Sequence, residues 1–260
     1  MFEICLSAAG YKMKVITDEL ELYELITKKS KDFLINKPVK ADAIFLIKKK
    51  KSIAEAIRYF KNVNEKKRKI TRIKKMANES KPNCFQALRL SMISWLIEKG
   101  CVVMHASSVK TKDGDILLFS GPSGSGKTTI ARIAMRAGLV VLQEDEAIIK
   151  KVGNEYKAYA FPLIPEHHEN YKNTSGKLRA IIFVSHGHKK NILKKLDMID
   201  SYKNLLSNDF FMHLSTMLRV KKEYIHKLSR AYYLMLKEKS FYTLKFIPNE
   251  KVMRYLNEKI

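Results

Sequence analysis

Gly121-Pro122-Ser123-Gly124-Ser125-Gly126-Lys127-Thr128 meets the spacing G-x-x-x-x-G-K-T in full. An apolar run, Ile116-Leu117-Leu118-Phe119, precedes it and predicts a buried strand. Thr129-Ile130-Ala131-Arg132-Ile133-Ala134-Met135 follows with helical apolar spacing. Strand, glycine loop and helix in that order build a cradle for phosphate. The glycines let successive backbone N–H groups turn toward one anion, and the helix N-terminus adds partial positive charge. The expected nucleotide contacts are therefore Gly121, Pro122, Ser123, Gly124, Ser125, Gly126, Lys127, Thr128 and Thr129. Lys127 is expected to reach the β- and γ-phosphates of ATP or GTP, and the Thr128 hydroxyl to hold Mg²⁺.

The 260 residues allow one large domain or two smaller ones. With 46% apolar and 29% charged residues the chain is expected to be globular rather than disordered. No apolar stretch approaches bilayer length, and Glu3 interrupts the N-terminus where a signal peptide needs a basic and then an apolar region. Cys5, Cys84 and Cys101 are widely spaced and form no C-x-x-C pair, which argues against a disulfide framework or zinc site and suits a reducing compartment. The expectation is a soluble cytoplasmic protein without a membrane partner.

The net charge of +24 rests on lysine, which supplies 40 of the 50 basic residues. Nucleic-acid readers lean on arginine for bidentate contacts. The lysines are spread over the chain, so a nucleic-acid partner is not expected. The densest cluster, Lys66-Lys67-Arg68-Lys69 continuing through Arg72, Lys74 and Lys75, reads first as a solvated helical face, with RNA, anionic lipid or an acidic protein partner as the alternatives.

Residues 1–80 read as an N-terminal α+β region without a chemical motif, and 81–260 as the nucleotide-binding domain. Strands are expected in Phe2 to Thr17 and at Ala43 to Ile47, with helices at Glu19 to Thr27 and Ser52 to Phe60. Asn78 to Asn83, with Pro82, reads as a hinge. Phe85 to Glu98 reads as a helix closed by Gly100. Asp113-Gly114 and Gly153-Asn154 are hairpin turns. Leu178 to Val184 and Phe241 to Phe246 are further strands, and helices fill Met198 to Glu238.

Three P-loop families compete for these residues. ABC transporter ATPases require an L-S-G-G-Q segment, which the chain lacks. Shikimate- or gluconate-type small-molecule kinases place a D-x-D one helix beyond the P-loop lysine, near Glu144 and Glu146, but they begin at the P-loop. The order His105-Ala106-Ser107, hairpin, P-loop, helix, Gly138, strand, Glu144-Asp145-Glu146, Phe161-Pro162 and Leu178 to Phe183 resembles the HPr kinase-like branch of the phosphoenolpyruvate carboxykinase-type fold. The resemblance covers about residues 100 to 200.

That resemblance implies an α/β fold: a P-loop-containing mixed sheet of the HPr kinase and phosphoenolpyruvate carboxykinase type, with the smaller N-terminal α+β region attached. It implies a kinase that transfers phosphate from a nucleotide to a hydroxyl, on a Ser/Thr of a protein or peptide or on a small metabolite. The family's paired acids fall on Glu144 and Asp145, or, one residue shifted, on Asp145 and Glu146. Asp145 belongs to both, as general base and Mg²⁺ ligand. His105 matches the histidine that orients the acid, and Arg179 is a candidate phosphate contact. The chain carries no E-I-R-G-x-G segment, the signature of true HPr kinases, so HPr is not implied as substrate. A homo-oligomer is compatible with the resemblance. The non-enzymatic alternative is a nucleotide-binding regulatory module. His167-His168 and His186-x-His188 read as loop histidines rather than metal ligands, although His168 and Glu169 are candidates for substrate contact.

Overall fold

Asp113-Gly114 and Gly153-Asn154 both turn antiparallel pairs in the computed structural model, which describes residues 1–37, 39–48, 69–74, 81–163, 171–207 and 222–260. The fold is mixed α/β, with two sheets and, among the described residues, six helices. The chain divides into two compact units, one built on Met1–Trp95 and the other on Leu96–Phe161 and the chain from Tyr171 onward.

In the first unit, β1 (Phe2–Ala8) and β2 (Tyr11–Thr17) form a hairpin whose turn residues Ala9 and Gly10 have φ of 53° and 78°. After α1 (Leu20–Lys29), β3 (Ala43–Lys48) pairs parallel with β2, and β4 (Lys69–Lys74) pairs parallel with β3. Part of the expected solvated helical face is thus a strand. Three of its six residues, Ile70, Thr71 and Ile73, are β-branched, which favours a strand over a helix. Lys66, Lys67, Arg68 and Lys75 lie outside the described residues, as do the expected Ser52 to Phe60 helix and the His167, His168 and Glu169 positions.

The helix α2 (Lys81–Glu98) begins earlier than expected and absorbs part of the predicted hinge. Pro82 sits in its first turn, where a missing N–H breaks no helical bond. The division between the units falls within this helix, beyond the 80/81 boundary read from the sequence. Its Trp95 packs edge-on against Tyr11 and Phe45, with ring centroids 5.1 and 6.5 Å away, which ties most of the helix to the first unit. Gly100, at φ 79°, closes the helix as expected.

The second unit holds β5 (Val102–Lys110), β6 (Ile116–Ser120), α3 (Lys127–Arg136), β7 (Val140–Gln143), β8 (Glu146–Val152), β9 (Glu155–Ala160) and β10 (Ser175–His186). It ends with β11 (Ile192–Lys195), α4 (Met198–Ser207), α5 (Lys222–Glu238), β12 (Ser240–Phe246) and α6 (Lys251–Lys259). Strand order is β11-β12-β10-β6-β5-β8-β9, with β7 on β5 and a further pairing of β9 to the start of β10. The core strand β6 is buried throughout, as its unbroken apolar run requires.

Strand direction positions the site. β10 runs parallel to β6 and to β12, so the three strands end on the same side. β5 is antiparallel to both β6 and β7, which makes β7 point the same way as β6. The carboxyl ends of β6, β7, β10 and β12 therefore gather at one edge, where open α/β sheets place ligands. No helix among the described residues is long and apolar enough to cross a membrane.

Candidate functional site

The loop that leaves β6 is built from backbone conformations open to glycine. Gly121, Gly124 and Gly126 have φ of 147°, 77° and 102°, and Gly126 caps the start of α3 in the left-handed region. Space is as restrictive as φ. A Cβ on Gly126 would lie 2.8 and 3.0 Å from ring carbons of Phe246, and one on Gly121 would lie 2.7 Å from Ser125 Oγ. Gly126→Ala is expected to destabilise the fold by about 1–3 kcal/mol through strained backbone alone, with steric conflict added. Urea unfolding measures this. A Phe246→Leu partner should recover the steric part and leave the backbone part.

The loop's polar groups are ordered by its own chain. Lys127, almost fully buried, donates from Nζ to the carbonyls of Gly121 (2.7 Å) and Pro122 (3.0 Å). The Ser125 N–H also reaches the Pro122 carbonyl at 3.2 Å. Ser125 Oγ is buried and has no partner among the described residues. A buried hydroxyl, a cation on a short tether and a helix N-terminus in one concave turn are a donor set suited to a phosphate. Thr128 and Thr129 follow at the start of α3, both partly exposed.

Two further residues hold the loop from outside, and the sequence did not mark either for this role. His186, the last residue of β10, has Nε2 at 2.9 Å from the Gly124 carbonyl. A carbonyl only accepts, so Nε2 carries the proton in this contact. Its ring stacks on Phe246, the last residue of β12, at 6.0 Å between centroids. The parallel pairing of β10 with β6 and β12 brings these residues to the glycine loop.

The acidic segment lies at the same edge. It follows β7, which runs parallel to β6 but is not its neighbour, because β5 stands between them. Long, buried β5 satisfies both neighbours at once. Its Ala106 pairs in register with Ser120 and donates its N–H to the Asp145 carbonyl at 3.0 Å. Asp145 and the loop's first residues thus sit two strand spacings apart, about 10 Å between backbones.

The three acids differ in access. Glu144 and Glu146 are buried, whereas Asp145 is partly exposed. The Ser107 hydroxyl donates to the Glu144 carbonyl, and the Ser108 hydroxyl to the Gln143 carbonyl, fixing the segment's backbone on β5. The Glu144 side chain lies against Tyr171. Burial, then the contact with Glu144 and the charges of Glu144 and Asp145, push the Tyr171 hydroxyl well above the usual tyrosine range, with Arg132 opposing. Tyr171 thus keeps its proton beside the acids. The His105 backbone pairs with Glu146, and its carbonyl accepts from Ser120 Oγ at 3.1 Å. In register it faces Glu146 rather than Asp145, since directly paired residues share a face of the sheet.

Arg179 is not brought to the site. It stands near the start of β10, beside Ile116 and Leu117 at the far end of β6, and its Nη1 lies 3.5 Å from Asp113 Oδ2. A strand advances about 3.3 Å per residue, so several residues of β10 separate it from His186 and the loop. No group of three or more His, Cys, Asp or Glu among the described residues is arranged to hold a metal ion. Mg²⁺ bound with phosphates needs only one or two protein oxygens, which Thr128 and Asp145 could supply.

No protein-family model matches the chain, and no curated protein matches it. Among solved structures it is similar to the HPr(Ser) kinase/phosphatase from Coxiella burnetii, with 14% identity, a TM-score of 0.29, and coverage of 36% of this chain and 77% of that one. A likeness of that size carries no functional argument. The loop and its neighbours carry it.

Proposed function

We propose that the chain is a nucleotide-dependent phosphotransferase of the P-loop kinase kind, moving a phosphoryl group from ATP or GTP to a hydroxyl acceptor. The observation that supports this best is the glycine loop between β6 and α3, with an accessible carboxylate, Asp145, at the same edge of the sheet. Lys127 exchanges its two loop carbonyls for β- and γ-phosphate oxygens, and the N–H groups opening α3 share the negative charge. Thr128 and Asp145 would hold Mg²⁺, which would neutralise charge on the phosphate oxygens. Asp145 takes the proton from the attacking hydroxyl, while the buried Glu144 with Tyr171 keeps the acidic segment in place.

Calorimetric titration with MgATP and MgGTP, together with transfer of labelled phosphate to serine-bearing peptides and small alcohols, tests the proposal. Saturable nucleotide binding with transfer supports it. Binding without transfer leaves a nucleotide-binding regulatory module, and no binding removes both. The loop's outer anchor gives a second handle. His186→Phe keeps a ring against Phe246 but removes the donor to Gly124. One neutral hydrogen bond is worth about 0.5–1.5 kcal/mol, so nucleotide Kd should rise about 2- to 12-fold by calorimetry, with the urea midpoint little changed.

A further inference from the structure

We propose a second ligand site, for a small organic anion with an apolar body, at the end of the second unit's sheet remote from the glycine loop. A cavity of about 540 Å³ opens there, within the range of small-molecule sites. Its floor is apolar: Leu117 near the start of β6, with Met253 and Leu256 of α6, all buried. Its wall is cationic. Lys112 comes from the β5–β6 hairpin, Arg179 from β10, and Lys251 and Arg254 from one face of α6.

Four cationic side chains from three separate segments thus converge on one concavity, where Glu250 supplies the one acidic side chain among the lining residues. An anion bound in the concavity would meet positive charge from more than one side. Among the described residues Arg179 is paired with Asp113 at 3.5 Å, and the Asp113 side chain is 70% exposed, so a better-placed carboxylate or phosphate replaces it readily. An apolar floor beneath a cationic rim selects an amphiphile: one acidic head on an alkyl or aromatic body. A free inorganic anion would leave the floor wet, and an uncharged lipid would leave the rim unpaired. Nothing in the phosphotransfer reading uses this cavity, because the glycine loop leaves the opposite end of β6.

The probe is 8-anilinonaphthalene-1-sulfonate, a sulfonate on fused aromatic rings, titrated against the full chain. A one-to-one fluorescence enhancement is expected, displaced by decanoate but not by decanol or MgATP. Lys251→Glu with Arg254→Glu, both exposed positions, should weaken binding about tenfold or more, through at least one lost charge pairing. The same change in net charge at exposed Lys194 and Lys195 on β11 should leave it unaltered. Urea midpoints of both variants confirm folding. Absence of the enhancement, displacement by MgATP, equal competition by decanol, or equal loss in the two charge-reversed variants would each overturn the proposal.

Discussion

Lys127→Ala is expected to weaken MgATP binding by about 10- to 100-fold, the worth of a lost charge-assisted contact of about 1.5–3 kcal/mol. Lys127 is 8% exposed and already sits over the turn of the loop, 2.7 and 3.0 Å from two of its carbonyls. A phosphate held by the same turn would compete with those carbonyls for the ammonium. The substitution also withdraws a donor from the Gly121 and Pro122 carbonyls, so some loss of loop order follows. Lys127→Met separates the two effects, since it keeps the apolar stem and removes the charge. Nucleotide Kd should rise equally in both variants, while the urea midpoint stays nearer wild type in Lys127→Met. Unchanged nucleotide affinity in Lys127→Met would remove the glycine loop from nucleotide binding.

The loop was legible in the sequence because its conformation restricts residue choice. Left-handed φ and a packed outer face leave little but glycine at Gly121 and Gly126. The hairpins at Asp113-Gly114 and Gly153-Asn154 were legible for a related reason, since tight turns have local chemistry. What surrounds the loop was not. His186 and Phe246 lie far from it in sequence and meet it through the parallel register of β10 with β6 and β12, which no local periodicity encodes. The insertion of β5 between β6 and β7 was hidden in the same way, and it moved the acids one strand away from the loop. Tyr171 lies beside Glu144 although the two are distant in sequence. Arg179 failed as a phosphate contact because proximity to a strand says nothing about which end of the sheet it occupies.

Asp145→Asn should separate binding from chemistry. Asparagine keeps the volume and the backbone pairing of Asp145 with Ala106 but has neither the charge nor the basicity of the carboxylate. Nucleotide binding should persist within a few-fold, while phosphate transfer to a hydroxyl acceptor falls by about 10²–10⁴, the usual contribution of a general base. Glu144 is the natural comparison because it is adjacent, acidic and buried against Tyr171. Glu144→Gln changes a group that solvent scarcely reaches, so its first effect should be on stability. The unfolding midpoint should drop and transfer should decline less than in Asp145→Asn. Single-turnover measurements with labelled nucleotide make the comparison, since they report transfer without product release. Full transfer in Asp145→Asn with collapse in Glu144→Gln would assign the base to the buried acid and make Asp145 a bystander at the rim. If both variants bind nucleotide and neither alters transfer, the carboxylates at the end of β7 take no part in the reaction.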